Sequence, residues 1–243
     1  MQKNVLVTGA GKRVGAACAR MLHDEGCNIV IHYRSSRNDA ELLNEQLNHK
    51  RPDSAKLIQA DLLSDDALKG LAKTAVSAWG GIDVLVNNAS AFYATPMAEV
   101  TEQQWHELLG SNLKAPFFLA QYLSRSLKER SGCIVNITDI HAECGLKSYP
   151  VYSIAKAGLA ALTKILAKEL APNIRVNAVA PGAILWPEND VTDAEKAKIL
   201  ERVALQRKGS SADIAKAVGF LIRDADYVTG QIISVDGGRT LFC

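Results

Sequence analysis

The chain reads VLVTGAGKRVG from Val5 to Gly15, a short apolar run that leads directly into a glycine-rich turn. Glycines allow a tight turn and let a phosphate approach the backbone, and the helix predicted to begin there offers free N–H groups. Such a turn can be purely structural when it stands alone. Here it opens a strand–helix–strand unit, the context in which the pattern is typical of dinucleotide binding. We therefore predict cofactor contacts at Gly9, Arg13 and Val14.

Apolar runs and helix-like segments alternate along the rest of the chain. The predicted strands are Val5–Thr8, Asn28–Tyr33, Lys56–Gln59, Val84–Asn87, Cys133–Thr138, Arg175–Ala178 and Ile232–Val235. The predicted helices are Val14–Glu25, Asp39–His49, Asp65–Trp79, Glu102–Lys128, Val151–Leu170 and Ser211–Ile222. Continuous apolar strands crossed by helices indicate a parallel sheet covered on both faces. With no linker or repeat to divide them, residues 1–243 are predicted to form one α/β domain of Rossmann type, a doubly wound parallel sheet of about seven strands.

The composition limits the classes of partner. The 243 residues are 48% hydrophobic and 22% charged, which is enough for one domain with a large core. A net charge of +2 and a pI near 8.2 argue against nucleic acid as a partner. No apolar run approaches the ~20 residues of a membrane span, and the first residues do not form a signal peptide. The five cysteines and five histidines show neither paired spacing nor a ligand cluster, so we expect a reduced, cytoplasmic protein without a metal.

The second predicted strand ends in His32-Tyr33-Arg34-Ser35, where NAD enzymes carry an acidic residue for the ribose 2′-hydroxyl. With no carboxylate at this place, Arg34 and Arg13 can bind a 2′-phosphate, because arginine recognises phosphate bidentately. The alternative is that Arg34 is an ordinary solvated cation. The segment favours NADPH over NADH.

Two more strand ends supply predicted cofactor contacts. Asp61 and Leu62 follow the third strand, while Asn88, Ala89 and Ser90 follow the fourth. All five residues fall at the carboxyl edge of a parallel sheet, where they can flank adenine and ribose. Helix caps or strand-end turns are the alternative for either group, since Asp and Asn favour such positions.

The least regular stretch is Pro181–Ala194, which follows the sixth predicted strand. Ligands bind at this edge in open α/β folds, so we interpret residues 181–200 as a loop over the substrate. An ordinary surface connection is the alternative. The predicted cofactor contacts here are Pro181, Gly182 and Ile184. Trp186 is predicted to border the substrate, although a tryptophan that holds the loop shut is an equal possibility.

Tyr152 and Lys156 stand four residues apart, which places both on one face of a helix. A cation beside a phenol favours the ionised form of the phenol, so the two residues can form a proton-transfer unit. An exposed helix face is the alternative. Asp139 closes the segment Asn136-Ile137-Thr138-Asp139 at the end of the fifth predicted strand, either as part of this unit or as a turn residue.

The chain resembles the short-chain dehydrogenase/reductase family over essentially its whole length. The motifs that match in order and spacing are Thr8–Gly15, Asn87-Asn88-Ala89, Asn112, Tyr152 with Lys156, and Pro181-Gly182. The resemblance implies NAD(P)(H) binding and a homotetramer. It implies that Tyr152 transfers a proton, that Lys156 binds the nicotinamide ribose and lowers the Tyr152 pKa, and that Asn112 supports a proton-relay water.

Three departures from the common pattern of that family resemble the pteridine reductases. Arg13 replaces the second glycine of the turn, and Asp139 replaces the serine that binds a carbonyl substrate. Ser90 follows Asn-Asn-Ala in a segment that continues to Phe92. In pteridine reductases the residues matching Arg13 and Ser90 contact substrate or cofactor. The ring matching Phe92 stacks on the pterin opposite the nicotinamide, and the aspartate matching Asp139 acts with the tyrosine.

The chemistry of the exchange at Asp139 agrees with this resemblance. A serine hydroxyl donates a hydrogen bond to the negative charge that develops on a carbonyl oxygen, whereas a carboxylate repels that charge. A carboxylate suits a substrate with N–H donors or a ring nitrogen that awaits a proton. Phe92 offers a flat apolar surface to such a ring, unless it packs in the core.

The leading hypothesis is an NADPH-dependent pteridine reductase that adds a hydride to a C=N bond of a dihydropterin. Dihydrobiopterin, dihydromonapterin and dihydrofolate are the candidate substrates. The first alternative is a carbonyl reductase of the same family that acts on a 3-oxoacyl or sugar substrate. The second is a non-catalytic NADP(H)-binding protein.

Overall fold

A computed structural model describes residues 3–184 and 192–242, with the backbone only of residues 193–196. Its strands are β1 (Asn4–Val7), β2 (Asn28–Tyr33), β3 (Ala55–Gln59), β4 (Val84–Asn87), β5 (Cys133–Ile137), β6 (Arg175–Pro181) and β7 (Ile232–Val235). They form one seven-stranded parallel sheet in the order β3-β2-β1-β4-β5-β6-β7. The strand order reverses between β1 and β4, which is the place where open α/β sheets bind ligands. The predicted fold class is confirmed.

Helices cover both faces of the sheet. The α-helices of the described chain are α1 (Arg13–Asp24), α2 (Arg37–Lys50), α3 (Asp65–Ala78), α4 (Glu102–Leu109), α5 (Ala115–Glu129), α6 (His141–Cys144), α7 (Pro150–Glu169), α8 (Asp193–Glu201) and α9 (Ser211–Arg223). A π-helical turn, Gly110–Lys114, joins α4 to α5, and 3₁₀ turns lie at Met97–Glu99 and Arg239–Phe242. Among the described residues, no helix combines the length and the apolar character needed to cross a membrane.

Side-chain alternation along the central strands builds two core layers. In β1, Val5 and Val7 enter one layer and Leu6 the other, because successive side chains of a strand point to opposite faces. The first layer packs under α1, α2 and α9, and the second under α3, α5 and α7. Leu6 is fully buried and pairs in register with Val30 and Leu85. Burial of one such side chain contributes about 1.5–3 kcal/mol, so a polar residue at position 6 would disrupt the centre of the sheet.

The predicted helix over Glu102–Lys128 is helical along its whole length, but it is not a regular α-helix throughout. The π-helical turn Gly110–Lys114 separates α4 from α5. Such turns insert an extra residue and are frequent at functional sites. Here the turn carries Asn112, which is fully buried. The apolar spacing runs through the turn without interruption, which is why the pattern alone predicts a single helix.

The predicted substrate loop is shorter than expected. β6 continues to Pro181, and α8 occupies Asp193–Glu201, so residues 193–200 of the predicted loop are helical. Residues 185–191 lie outside the described residues. The short helix α6, which the pattern did not predict, begins directly after the segment that contains Asp139.

Candidate active site

The carboxyl ends of the strands border an open cleft of about 690 Å³. It extends from the loop after β2, past the glycine turn, to Tyr152 on α7. The predicted residues that line it are Gly9, Arg13, Val14, His32, Tyr33, Arg34, Ser35, Asp61, Leu62, Asn88, Ala89, Ser90, Phe92, Asp139, Tyr152, Lys156, Pro181 and Gly182. Asn112 and Ile184 are buried behind the wall of the cleft. Trp186 lies outside the described residues.

Glycine is required at two positions of the turn between β1 and α1. Gly9 has a φ of +62°, in the left-handed region that favours glycine, and an added Cβ would lie 2.9 Å from the Ala89 Cα. A Cβ at Gly15 would collide with the Gly9 carbonyl oxygen and the Asn88 amide. Asn88 Nδ2 donates to the carbonyl oxygens of Thr8 (2.9 Å) and Gly9 (3.0 Å). The turn is therefore held from behind, and its backbone lines the cleft.

His32 supports the same turn from β2. Its Nδ1 accepts from Gly9 N at 3.1 Å, and its Nε2 donates to the Ala60 carbonyl oxygen at 3.1 Å. Burial lowers the pKa of His32 to about 4, so the ring is neutral at neutral pH. Because both ring nitrogens are hydrogen-bonded to the backbone, His32 forms a rigid and uncharged part of the wall at the cofactor end of the cleft.

Two arginines stand at the proposed phosphate end. Arg13 is the first residue of α1 and has a φ of +54°, a conformation that is uncommon for a residue with a side chain. The side chain of the N-cap residue Lys12 has no acceptor for the N–H groups of the helix, and its ammonium pairs with Asp39 at 3.2 Å. The N-terminal N–H groups and the positive end of α1 thus face the cleft. Arg34 Nη1 lies 3.6 Å from Glu107 Oε1 on α4, an ion pair that the sequence did not predict.

The π-helical turn fixes the loop after β4. Asn112 Oδ1 accepts from Ser90 Oγ at 2.7 Å, and its Nδ2 donates to the carbonyl oxygens of Ala91 and Leu108, each at 3.0 Å. Ser90 is thereby held at the mouth of the cleft. In this arrangement Asn112 positions a cleft residue through a direct contact.

Asp139, Tyr152 and Lys156 come together at the inner end of the cleft. The Tyr152 hydroxyl donates to Asp139 Oδ2 at 2.7 Å. Lys156 Nζ donates to the Ile137 carbonyl oxygen at 2.8 Å and lies 5.7 Å from the centre of the Tyr152 ring. Asp139 Oδ1 also accepts from the backbone N–H of His141, as in a strand-end turn, so the two interpretations of Asp139 both describe part of its geometry.

The electrostatics of this group differ from the expectation that Lys156 lowers the Tyr152 pKa. Burial and the Asp139 carboxylate raise the pKa of Tyr152 well above its ordinary value. Burial is the largest cause, and the Asp139 carboxylate adds to it by accepting from the Tyr152 hydroxyl. Burial would raise the pKa of Asp139, but the donors on His141 and Tyr152 outweigh it and leave that pKa below its ordinary value. Burial lowers the pKa of Lys156 to about 8, although Asp139 opposes the shift.

Phe92 forms an aromatic wall beside the reactive group. It is 47% exposed, so it is not a core residue. Its ring stacks on Tyr149 with centroids 4.7 Å apart and an angle of 12°, and it meets the Tyr152 ring edge-on at 4.8 Å. Tyr149 was missed by the sequence reasoning, although its place three residues before Tyr152 put it about one helical turn away.

Other residues that line the cleft also escaped prediction. They include Leu63, Ser111, His141, Leu146 and Arg239, whereas Ile199 belongs to the predicted substrate loop 181–200. His141 follows Asp139 by two residues, and this spacing was the available signal. The remaining residues reach the cleft only through the tertiary arrangement.

Comparison with known proteins identifies the family. The family described as Enoyl-(Acyl carrier protein) reductase matches residues 9–240. The chain belongs to the short-chain dehydrogenase/reductase family. Membership of this family makes the chain an oxidoreductase. The Tyr152 and Lys156 pair lies at one end of its cleft.

Curated relatives of this family member include reductases with two different substrates in their names. The 3-oxoacyl-[acyl-carrier-protein] reductase FabG of Staphylococcus epidermidis is 40% identical over 242 residues, 98% of this chain and 99% of the relative. Pteridine reductase 1 of Leishmania tarentolae is 37% identical over an alignment of 278 residues, covering 97% of this chain and 96% of the relative. The FabG relative is the stronger match of the two, and the pteridine reductase is the more distant one.

Solved structures agree with the fold. A blue fluorescent protein from a metagenomic library, crystallised in complex with NADPH, superposes with a TM-score of 0.91 at 34% identity and covers 98% of this chain, with 97% of its own chain matched. The acetoin dehydrogenase YohF from Salmonella typhimurium gives a TM-score of 0.90 at 32% identity, over 100% of this chain and 99% of its own.

Proposed function

We propose that this family member is an NADPH-dependent pteridine reductase that converts a dihydropterin to its tetrahydro form. The observation that carries the proposal is the 2.7 Å contact between Asp139 Oδ2 and the Tyr152 hydroxyl, where the common family pattern has a serine beside the tyrosine. An ionised Asp139 accepts hydrogen bonds and cannot donate one. It is therefore suited to the N–H groups of a pterin and unsuited to the oxyanion of a carbonyl substrate.

The cofactor end of the cleft fits a phosphorylated dinucleotide. The glycine turn leaves no room for a Cβ at Gly9, and the first turn of α1 presents N–H groups beside Arg13. Arg34 offers a further guanidinium to a 2′-phosphate, with Ser35 next to it. When bound, NADPH supplies the hydride that adds to the carbon of the substrate C=N bond.

The proton for the adjacent nitrogen is assigned to Tyr152. The raised pKa keeps its hydroxyl protonated at neutral pH, so it is a donor in the resting enzyme. Lys156, 5.7 Å from the ring centre, stabilises the negative charge that Tyr152 acquires as the proton leaves. Asp139 orients the substrate by accepting from its N–H edge.

Phe92 is proposed to bind the flat face of the pterin. Its ring is nearly half exposed, and Tyr149 stacks on one face of it at 4.7 Å, which fixes the plane of the ring. An aromatic platform of this kind favours a heteroaromatic substrate over a flexible acyl chain.

The second candidate function is 3-oxoacyl reduction. It is favoured by the 40% identity to FabG of Staphylococcus epidermidis over 98% of the chain. The Asp139 carboxylate beside the Tyr152 hydroxyl disfavours this function, because it repels the oxyanion that forms from a carbonyl substrate. A non-catalytic NADP(H)-binding protein is the third possibility, and any substrate-dependent oxidation of NADPH would exclude it.

A substrate panel tests the proposal. NADPH absorbance is followed with a dihydropterin, dihydrofolate and an acetoacetyl ester, each over a range of concentrations. We expect the highest kcat/KM with the dihydropterin or dihydrofolate. A higher kcat/KM with the acetoacetyl ester would replace the pteridine proposal with the 3-oxoacyl one.

We also propose that the enzyme is a homotetramer. Large apolar side chains stay exposed on α5 and α7, including Phe117 (42%), Ile154 (50%) and Ile165 (54%). Contiguous apolar patches of several hundred Å² are typical of surfaces that associate, and we propose that these side chains belong to such a patch. Light scattering of the purified protein tests this, and a monomer at micromolar concentration would refute it.

A further inference from the structure

His141 makes two contacts with the same oxygen of Asp139. Its backbone N–H and its ring Nδ1 both lie 2.8 Å from Asp139 Oδ1. Because a carboxylate only accepts hydrogen bonds, Nδ1 must carry a proton and donate it. The Asp139 and His141 side chains are only 20% and 16% exposed, so water competes weakly for this contact.

The two oxygens of Asp139 are divided between two partners. Oδ1 faces His141, while Oδ2 accepts from the Tyr152 hydroxyl at 2.7 Å. The terminal torsion of an aspartate is soft, so its partners decide the orientation of the carboxylate. His141 therefore fixes which oxygen faces Tyr152 and the cleft.

The backbone contact alone does not explain a histidine at this position. The turn after β5 needs only the N–H of residue 141, which every residue except proline supplies. The donor on the ring is additional to the turn. It gives the buried Asp139 carboxylate a second hydrogen-bond donor from His141. Burial alone would favour the neutral, protonated form of Asp139.

We propose that His141 is a positioning residue that holds Asp139 as a carboxylate with Oδ2 turned toward Tyr152. The inference rests on the proposed function, in which Asp139 accepts from the substrate. The other ionisable groups near Asp139 are Tyr152 and Lys156 on α7, while Arg13 and Arg239 line the same cleft.

Two substitutions separate the ring donor from the backbone donor. His141→Leu keeps the backbone N–H and an apolar side chain but removes Nδ1. His141→Asn places an amide N–H where Nδ1 stands and removes the rest of the ring. Glu143→Gln is the matched control, because Glu143 is exposed on the same short helix.

The first measurement follows the Asp139 carboxyl by ¹³C NMR against pH in the full chain, with Asp139→Asn to assign the signal. Loss of a donor to the charged form raises a carboxyl pKa. We therefore expect a higher Asp139 pKa in His141→Leu than in the parent, and an unchanged one in His141→Asn and Glu143→Gln.

The second measurement is the pH profile of kcat. Because activity requires the Asp139 carboxylate, kcat should begin to fall on acidification at a higher pH in His141→Leu than in the parent. At neutral pH we expect kcat to fall by about ten- to 150-fold in His141→Leu, the range for loss of a hydrogen bond to a charged group. His141→Asn should restore both the profile and kcat.

Equal Asp139 pKa values in the parent and a folded His141→Leu would overturn the inference. So would a His141→Asn variant as impaired as His141→Leu, since that result would place the role at Nε2. The NMR titration needs no substrate. A parent enzyme that fails to reduce pterins therefore counts against the proposed function while leaving the role of His141 to its own test.

Discussion

Replacing Asp139 with serine would rebuild the common family arrangement beside Tyr152 and Lys156, so it separates the two candidate functions. Asp139 accepts from His141 N and Nδ1 at 2.8 Å each and from Tyr152 at 2.7 Å. A serine hydroxyl can keep the backbone contact of the turn, which should preserve the fold. It cannot offer a charged acceptor to a substrate N–H.

The expected loss follows from that missing acceptor. A hydrogen bond to a charged group contributes about 1.5–3 kcal/mol, which corresponds to roughly ten- to 150-fold in kcat/KM for a dihydropterin. Reduction of an acetoacetyl ester should not fall, because the serine hydroxyl donates to a developing oxyanion where the carboxylate repels it.

The assay compares initial rates of NADPH oxidation by the parent, Asp139→Ser and Asp139→Asn with both substrates. Asp139→Asn keeps the size of the side chain and removes its charge, so it should also lose pterin reduction. Thermal unfolding of each variant checks that the fold is intact. Equal rates for the parent and Asp139→Ser with the dihydropterin would refute the reasoning, and the proposal would then depend on Phe92 and Ser90.

Three further predictions concern the remaining parts of the cleft. Tyr152→Phe should lower kcat by about two to four orders of magnitude while NADPH affinity, measured by fluorescence titration, stays nearly constant; retained turnover would move the proton donor elsewhere. Arg34→Ala should reduce the preference for NADPH over NADH about tenfold or more, whereas Arg37→Ala, an exposed neighbour paired with Glu41, should not; equal effects of both would remove Arg34 from the phosphate site. The lowered Lys156 pKa of about 8 means that the unfolded chain binds this proton more tightly than the folded one between pH 8 and the ordinary value of 10.5. The free energy of unfolding should therefore gain a contribution from Lys156 as pH rises through that window, and denaturant titrations should find the gain absent in Lys156→Met.

Strong local patterns predicted most of the fold. The bounds of β2, β4 and β7 agree with the predicted strands, because continuous apolar runs flanked by turn residues admit few alternatives. The π-helical turn within the predicted helix Glu102–Lys128 could not be predicted, since it is stabilised by the contacts of Asn112 with the distant residues Ser90 and Ala91. Its cause does not lie in the local sequence.

The sequence by itself determined which residues meet at the end of the cleft. Parallel strands deliver their carboxyl ends to one edge, so Asp139 after β5 and Tyr152 on the next long helix had to approach each other. Their contact at 2.7 Å follows that expectation.

Only the tertiary structure decided the electrostatics of the cleft. The raised Tyr152 pKa depends on burial and on the Asp139 carboxylate. The pairing of Arg34 with Glu107 joins the loop after β2 to α4, 73 positions apart in sequence. Distances between segments so far apart in sequence are set by the packing of the whole domain. Local patterns of apolar and polar residues do not determine them.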